Sequence, residues 1–155
     1  FARQQGPAMS LRAIAYTSEI SPDRTPAHVQ ELTEAAAAFN LSAGITGVLL
    51  FDGPRFLQYM EGPDEGLDAA YPRIRGATSH HSLMELGRAR IGRRHFPDWS
   101  MHLLPADPDQ LRTAIRNDWS GFVNRKSVPG ERLYGVEGLI RLASAHPGSA
   151  ALADS

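Results

Sequence analysis

Hydrophobic and polar positions along the chain change period several times, and each change marks an element. Leu11 to Thr17 alternates, placing Ile14 and Tyr16 on one face of an expected first strand and Ala13 and Ala15 on the other. Ser18 to Arg24 reads as a loop. Thr25 and Pro26 then form an N-cap and first-turn pair. Val29, Leu32, Ala35, Ala36 and Phe39 recur at helical spacing up to Asn40, and Gly44 stops the helix. A hairpin follows: a strand from Gly44 to Phe51, the turn Asp52-Gly53-Pro54, and a strand from Arg55 to Glu61.

Pro63-Asp64-Glu65 opens a second helix with acidic residues in its first turn, where the helix dipole favours them. Leu67, Ala70, Tyr71 and Ile74 are its apolar stripe, and Pro72 is expected to kink or shorten it. Ser82 to Ile91 reads as a fourth strand, residues 92–98 as a loop, and Trp99 to Leu104 as a fifth strand. The order β-α-β-β-α-β-β predicts an α+β fold, a ferredoxin-like sandwich whose first and third strands are central neighbours. Tyr16 and Gln58 would then face each other beneath the two helices.

After Pro105 the pattern predicts a short amphipathic helix from Pro108 to Trp119, a linker over 124–130, and a helix from Glu131 to His146 weakened by Gly135 and Gly138. These two C-terminal helices are expected to cap the sheet face bearing Ala13, Ala15, Leu57 and Tyr59, which would otherwise be wet. The expected divisions are therefore a leftover of expression over 1–9, one domain over 10–105, a helical extension over 106–146, and a frayed tail over 147–155.

Composition narrows the chemistry. In 155 residues, 42% are apolar, 21% are charged and the formal net charge is −1, which gives no electrostatic case for nucleic acid or an anionic membrane. No apolar run approaches the roughly 20 residues that span a bilayer. The chain has no cysteine and six scattered histidines, so thiol chemistry, disulfides and cysteine zinc sites are excluded and no metal is expected. A cytoplasmic location is the default expectation.

Three polar residues sit where a plain core would not want them: Asn40, Thr46 and Gln58. Gln58 is the most demanding, because a buried carboxamide between Leu57 and Tyr59 needs hydrogen-bond partners for both of its ends. Taken singly, Tyr16 reads as a core tyrosine with its hydroxyl at a rim, Asn40 as a helix end, His80 as a satisfied histidine, and Trp99 and Met101 as core fillers sharing one strand face.

Taken jointly these residues resemble the BLUF domains, blue-light sensors that use flavin. The anchors are Tyr16, Asn40 with Gly44-Ile45-Thr46-Gly47, Phe56-Leu57-Gln58 with Glu61-Gly62, Arg73-Ile74, His80, and Phe96 with Trp99-Ser100-Met101. The resemblance spans Leu11 to Leu104. It implies a photoreceptor without turnover chemistry and a bound FAD, with FMN or riboflavin as other possible forms. Tyr16 would be the electron and proton donor, and Gln58 the amide that rearranges between the phenol and the flavin. Asn40 would bond the ring edge, Leu32 and Ile74 would sandwich the ring, and Arg73 and His80 would complete the site. Trp99 and Met101 would carry the signal outward through the C-terminal helices to an unidentified partner protein or a homo-oligomer.

The chain departs from the family's pattern at Phe39, Pro72, Ala77 and Ser79. A small ferredoxin-like hydrolase of the acylphosphatase type, with Arg93-Arg94-His95 as its anion loop, is one alternative, and a flavin-free interaction module is another.

Overall fold

A computed structural model describes residues 10–120 and 134–145. Five strands form one sheet in the order β4-β1-β3-β2-β5. They are β1 (Leu11–Ile20), β2 (Thr46–Phe51), β3 (Arg55–Pro63), β4 (His80–Ile91) and β5 (His102–Pro105). All neighbours are antiparallel except β2 and β5. The first four strands are the expected ferredoxin-like arrangement, with β1 and β3 central.

Helices α1 (Pro26–Ala43) and α2 (Asp64–Arg75) cover one face. Ile14, Tyr16, Ile45, Met60, Leu67, Ala70 and Met101 are buried there. Helices α3 (Pro108–Arg116) and α4 (Gly135–Ala145) cover the other. On that side Ala13, Ala15, Leu57 and Tyr59 join Leu111, Trp119, Val136 and Leu139 in a second buried cluster, so the cap forms where period-two alternation left apolar residues uncovered.

Several expected boundaries are corrected. β1 continues through Ile20, because Ser18 and Glu19 still pair with Phe56 and Arg55 and the Ile20 N–H donates to the Pro54 carbonyl at 2.8 Å. α1 runs three residues past Asn40 to Ala43, where Gly44 takes a left-handed φ of 75° and ends it as a C-terminal glycine does. α2 contains Pro72. The proline lies one turn from the end, where the Gly76 and Ala77 N–H groups already close on the Pro72 and Ile74 carbonyls. β4 begins at His80, two residues earlier than expected.

The largest correction concerns the fifth strand. It starts at His102, so Trp99, Ser100 and Met101 precede it. The carbonyls of Trp99 and Ser100 are taken by the Gly47 N–H at 2.8 Å and the Asn40 side-chain Nδ2 at 2.9 Å, which bends the segment out of the ladder. Trp99 and Met101 consequently fall in the buried clusters on opposite faces of the sheet, rather than sharing one.

α3 stops at Arg116; Trp119 lies beyond it and its indole N–H donates to the Ala114 carbonyl at 2.9 Å. Gly135 and Gly138 do not merely weaken the last helix. A Cβ on Gly135 would overlap the Trp119 indole, and one on Gly138 would overlap the Asn117 amide. The expected leader, linker and tail, together with residues 131–133 and 146 of the last expected helix, lie outside the described residues. Among the described residues no helix is long and apolar enough to cross a membrane.

Candidate functional site

The walls of the site follow from strand and helix periodicity. On β3, Phe56 and Gln58 point toward the helices, as do Tyr16 and Ser18 on β1 and Leu49 on β2. Leu32, Phe39 and Asn40 enter from α1, and Ala70, Arg73 and Ile74 from α2. These residues, with Met101 and His80, enclose a cavity of about 260 Å³, slightly under the roughly 300–1,000 Å³ usual for small-ligand sites.

Eight of the nine residues to which the resemblance gives a role therefore meet around one space: Tyr16, Leu32, Asn40, Gln58, Arg73, Ile74, His80 and Met101. Trp99 does not. It lies on the cap face between two rings, with its centroid 6.0 Å from Phe96 and 4.0 Å from His102, both nearly parallel.

At the floor, Tyr16 and Gln58 are paired directly across β1 and β3. Both are buried, at 3% and 7% exposure. The Tyr16 hydroxyl donates to Gln58 Oε1, and Gln58 Nε2 donates to the Met101 sulfur at 3.5 Å. The amide is thus held at both ends by groups of opposite hydrogen-bond sense. Burial pushes the Tyr16 phenol well above the ordinary tyrosine range, and neighbouring Tyr71 adds to the shift. Tyr16 is therefore a protonated donor at any working pH.

The rim is mixed. Asn40 is 3% exposed and ties the end of α1 to Ser100. Phe39 carries the Arg73 guanidinium 3.9 Å above its ring. That cation–π contact joins α1 to α2 beside the cavity. Small residues at Ala77 and Ser79 also line the space.

His80 Nε2 lies 2.9 Å from the Ile74 carbonyl, so that nitrogen carries the proton. Its buried Nδ1 has no hydrogen-bond partner among the described residues. Burial lowers the imidazole below its ordinary value, and the bond to Ile74 opposes this. Because the unfolded chain takes up this proton at higher pH than the folded one, stability rises with pH through the window just below about 6.5. Replacing His80 with Gln should flatten that part of the curve, as read from urea midpoints across pH; an unchanged slope would remove His80 as its source.

Periodicity also contained wall residues to which the sequence gave no role. Phe56 lies two positions from Gln58 on the same strand face, and Ser18 lies two from Tyr16, so counting outward from the pair would have found both. Leu49 needed the hairpin register, which sets it opposite Gln58.

Apolar walls from two helices, side-chain amides at floor and rim, and an unused nitrogen on His80 fit a flat, polar-edged aromatic ring. Such a site beside a phenol–amide pair on a ferredoxin-like sheet agrees with the class that the resemblance implies, a flavin-binding light-sensor domain. The chain belongs to the BLUF family, described as sensors of blue-light using FAD, whose profile matches residues 11–102.

Among relatives, the "Blue light- and temperature-regulated antirepressor BluF" of Escherichia coli (strain K12) is 33% identical over 76 residues, covering 49% of this chain and 19% of that protein. Among solved structures, Klebsiella pneumoniae BlrP1 with FMN and cyclic diGMP superposes with a TM-score of 0.58 at 36% identity, covering 61% of this chain and 26% of that one. The dark-state structure of the BLUF protein BlrB superposes with a TM-score of 0.61 at 25% identity, covering 94% and 93%. The chain thus spans about a fifth of BluF and nearly all of BlrB. It is a blue-light photoreceptor of flavin-binding type.

In the anion loop considered for a hydrolase, Arg94 is otherwise engaged. Arg94 donates to Thr46 Oγ1 at 2.9 Å and to the Gly44 carbonyl at 2.7 Å, so its guanidinium is bound up with the strands.

Proposed function

We propose that residues 10–105 form a sensing domain in which Tyr16 and Gln58 convert absorption of blue light into a changed hydrogen-bond pattern, and that the bound flavin is FAD. The observation carrying this reading is the buried phenol bonded to a carboxamide on the neighbouring central strand. Leu32 and Ile74 would flank the ring, and Asn40, Arg73 and His80 would serve its edge. When bound, the flavin supplies light absorption and an excited state that takes an electron from a nearby donor.

Tyr16 would be that donor, and because its hydroxyl donates to Gln58 Oε1, loss of an electron and departure of the proton toward the amide would be coupled. Gln58 can answer by rotating or tautomerising, which exchanges donor and acceptor at its two ends. The Met101 sulfur, bonded to Gln58 Nε2, would then lose or change its partner, moving the segment that also holds Trp99. Since Trp99 shares a cluster with α3 and α4, that movement would reach the C-terminal extension over 106–146. The output would be a changed contact with a partner protein or a second copy in the cytoplasm.

The test is a light-minus-dark absorption spectrum of the flavin-bound protein. The expected result is a small red shift under blue light that reverses in darkness, with FAD released on denaturation. An unshifted spectrum overturns the reading. For the route outward, loss of the light-dependent partner or oligomer change on deleting residues 124–155 is expected; an unaffected change would exclude a relay through the last helix.

A further inference from the structure

Glu61 is a carboxylate with 0% exposure on the cap side of β3, three residues from Gln58. Four donors converge on it. Tyr59 OH and the His95 N–H reach Oε1, each at 2.8 Å. Thr46 Oγ1 and the Phe96 N–H reach Oε2 at 3.0 and 2.7 Å. Burial, and then the adjacent Glu61 charge, push the Tyr59 phenol far above its ordinary range, so it remains a donor. Arg94 closes the cluster from outside, bonding Thr46 and the Gly44 carbonyl.

This is an expensive arrangement for a loop anchor, since a buried charge is tolerated only when fully hydrogen-bonded. Two of its four bonds go to consecutive backbone amides at the root of the segment that ends in Met101. The same segment is held by the Gly47 N–H at the Trp99 carbonyl and by Asn40 at Ser100. Of these tethers, the carboxylate is the one on the same strand as Gln58.

We propose that Glu61 is a positioning residue for the photoresponse: its carboxylate latches residues 95–101 to β3, fixing Met101 against Gln58 and Trp99 in its ring stack. The light-dependent part of this inference rests on the function proposed above; the latch itself does not. When the carboxylate is lost, the segment becomes free to move without β3, and the Gln58–Met101 bond is no longer enforced.

The experiment measures amide exchange and dark recovery on Glu61→Gln. A glutamine presents one acceptor oxygen and turns an N–H₂ toward the remaining donors. Hydrogen bonds to a charged group are lost, so exchange at His95 and Phe96 should quicken on the order of tenfold, with β1 and β3 amides unchanged. Dark recovery of the spectrum should change several-fold, while Tyr59→Phe, which leaves the carboxylate in place, should keep His95 and Phe96 protected. A uniform rise in exchange across the sheet would reduce Glu61 to a stability role and overturn the proposal. So would local loosening with unaltered recovery.

If Glu61→Gln does not fold, the wild-type protein still decides. His95 and Phe96 amides should be protected like those of β3, and exchange as fast as Gly92 and Arg93 would show no latch. Should the wild-type spectrum not respond to light, the function proposed above fails and the exchange pattern alone judges the latch.

Discussion

Replacing Gln58 with Leu is expected to leave a yellow, flavin-loaded protein whose spectrum no longer shifts under blue light. Leucine fills a similar space on β3, so the cavity floor and its apolar walls persist. It offers neither an acceptor to the Tyr16 hydroxyl nor a donor to the Met101 sulfur, both of which Gln58 supplies. No rotation of that side chain can then invert a hydrogen-bond pattern. The buried phenol is left without its acceptor, which costs about 1–3 kcal/mol, a loss visible in urea unfolding but well inside the roughly 5–15 kcal/mol total of a domain. The effect on light response is therefore all-or-none while the effect on folding is partial. Loss of flavin together with loss of response would assign Gln58 to binding rather than switching. A normal shift in the leucine variant would end its proposed role.

Much of this arrangement was legible because it follows from short-range rules. Alternation placed Tyr16 and Gln58 on one face each, and the β-α-β-β order made their strands neighbours, so the pairing of Tyr16 with Gln58 needed no tertiary information. The cap over Ala13, Ala15, Leu57 and Tyr59 was legible from the same alternation. What was not legible depended on contacts distant in sequence. Trp99 and Met101 look like two positions on one strand, yet Gly47 and Asn40, both far upstream, draw off the intervening carbonyls and send the side chains to opposite faces. Glu61 read only as part of a motif, because nothing local announces that His95 and Phe96 will bring their amides to it. Phe39 read as a departure; only the fold shows Arg73 stacked on its ring.

Glycine at 47 has a stricter reason than conformational freedom, and replacing it with alanine is expected to be the most damaging small change in the domain. A Cβ there would overlap the Tyr59 carbonyl oxygen and crowd the Met60 Cα. Both are backbone atoms of β3, the strand that pairs with Gly47 itself. No side-chain rotation can relieve that overlap, so β2 and β3 must part locally. The Gly47 N–H bond to Trp99 and the neighbouring bond from Thr46 to Glu61 would then be strained together. Overpacking of this kind costs about 1–3 kcal/mol, and more where the backbone cannot yield, so the upper end of that range is expected at Gly47. Gly92→Ala is the matched control: nothing lies within 4 Å of its added methyl, and its effect should stay within about 0.5 kcal/mol. Urea unfolding of the two variants beside the wild type measures the difference. Because the strained bonds reach Trp99 and the Glu61 cluster, whatever Gly47→Ala protein does fold should also show faster exchange at His95 and Phe96. A Gly47→Ala variant as stable as Gly92→Ala would mean that β2 and β3 do not approach as closely as the fold requires, and the placement of Gln58 opposite Tyr16 would have to be redrawn with them.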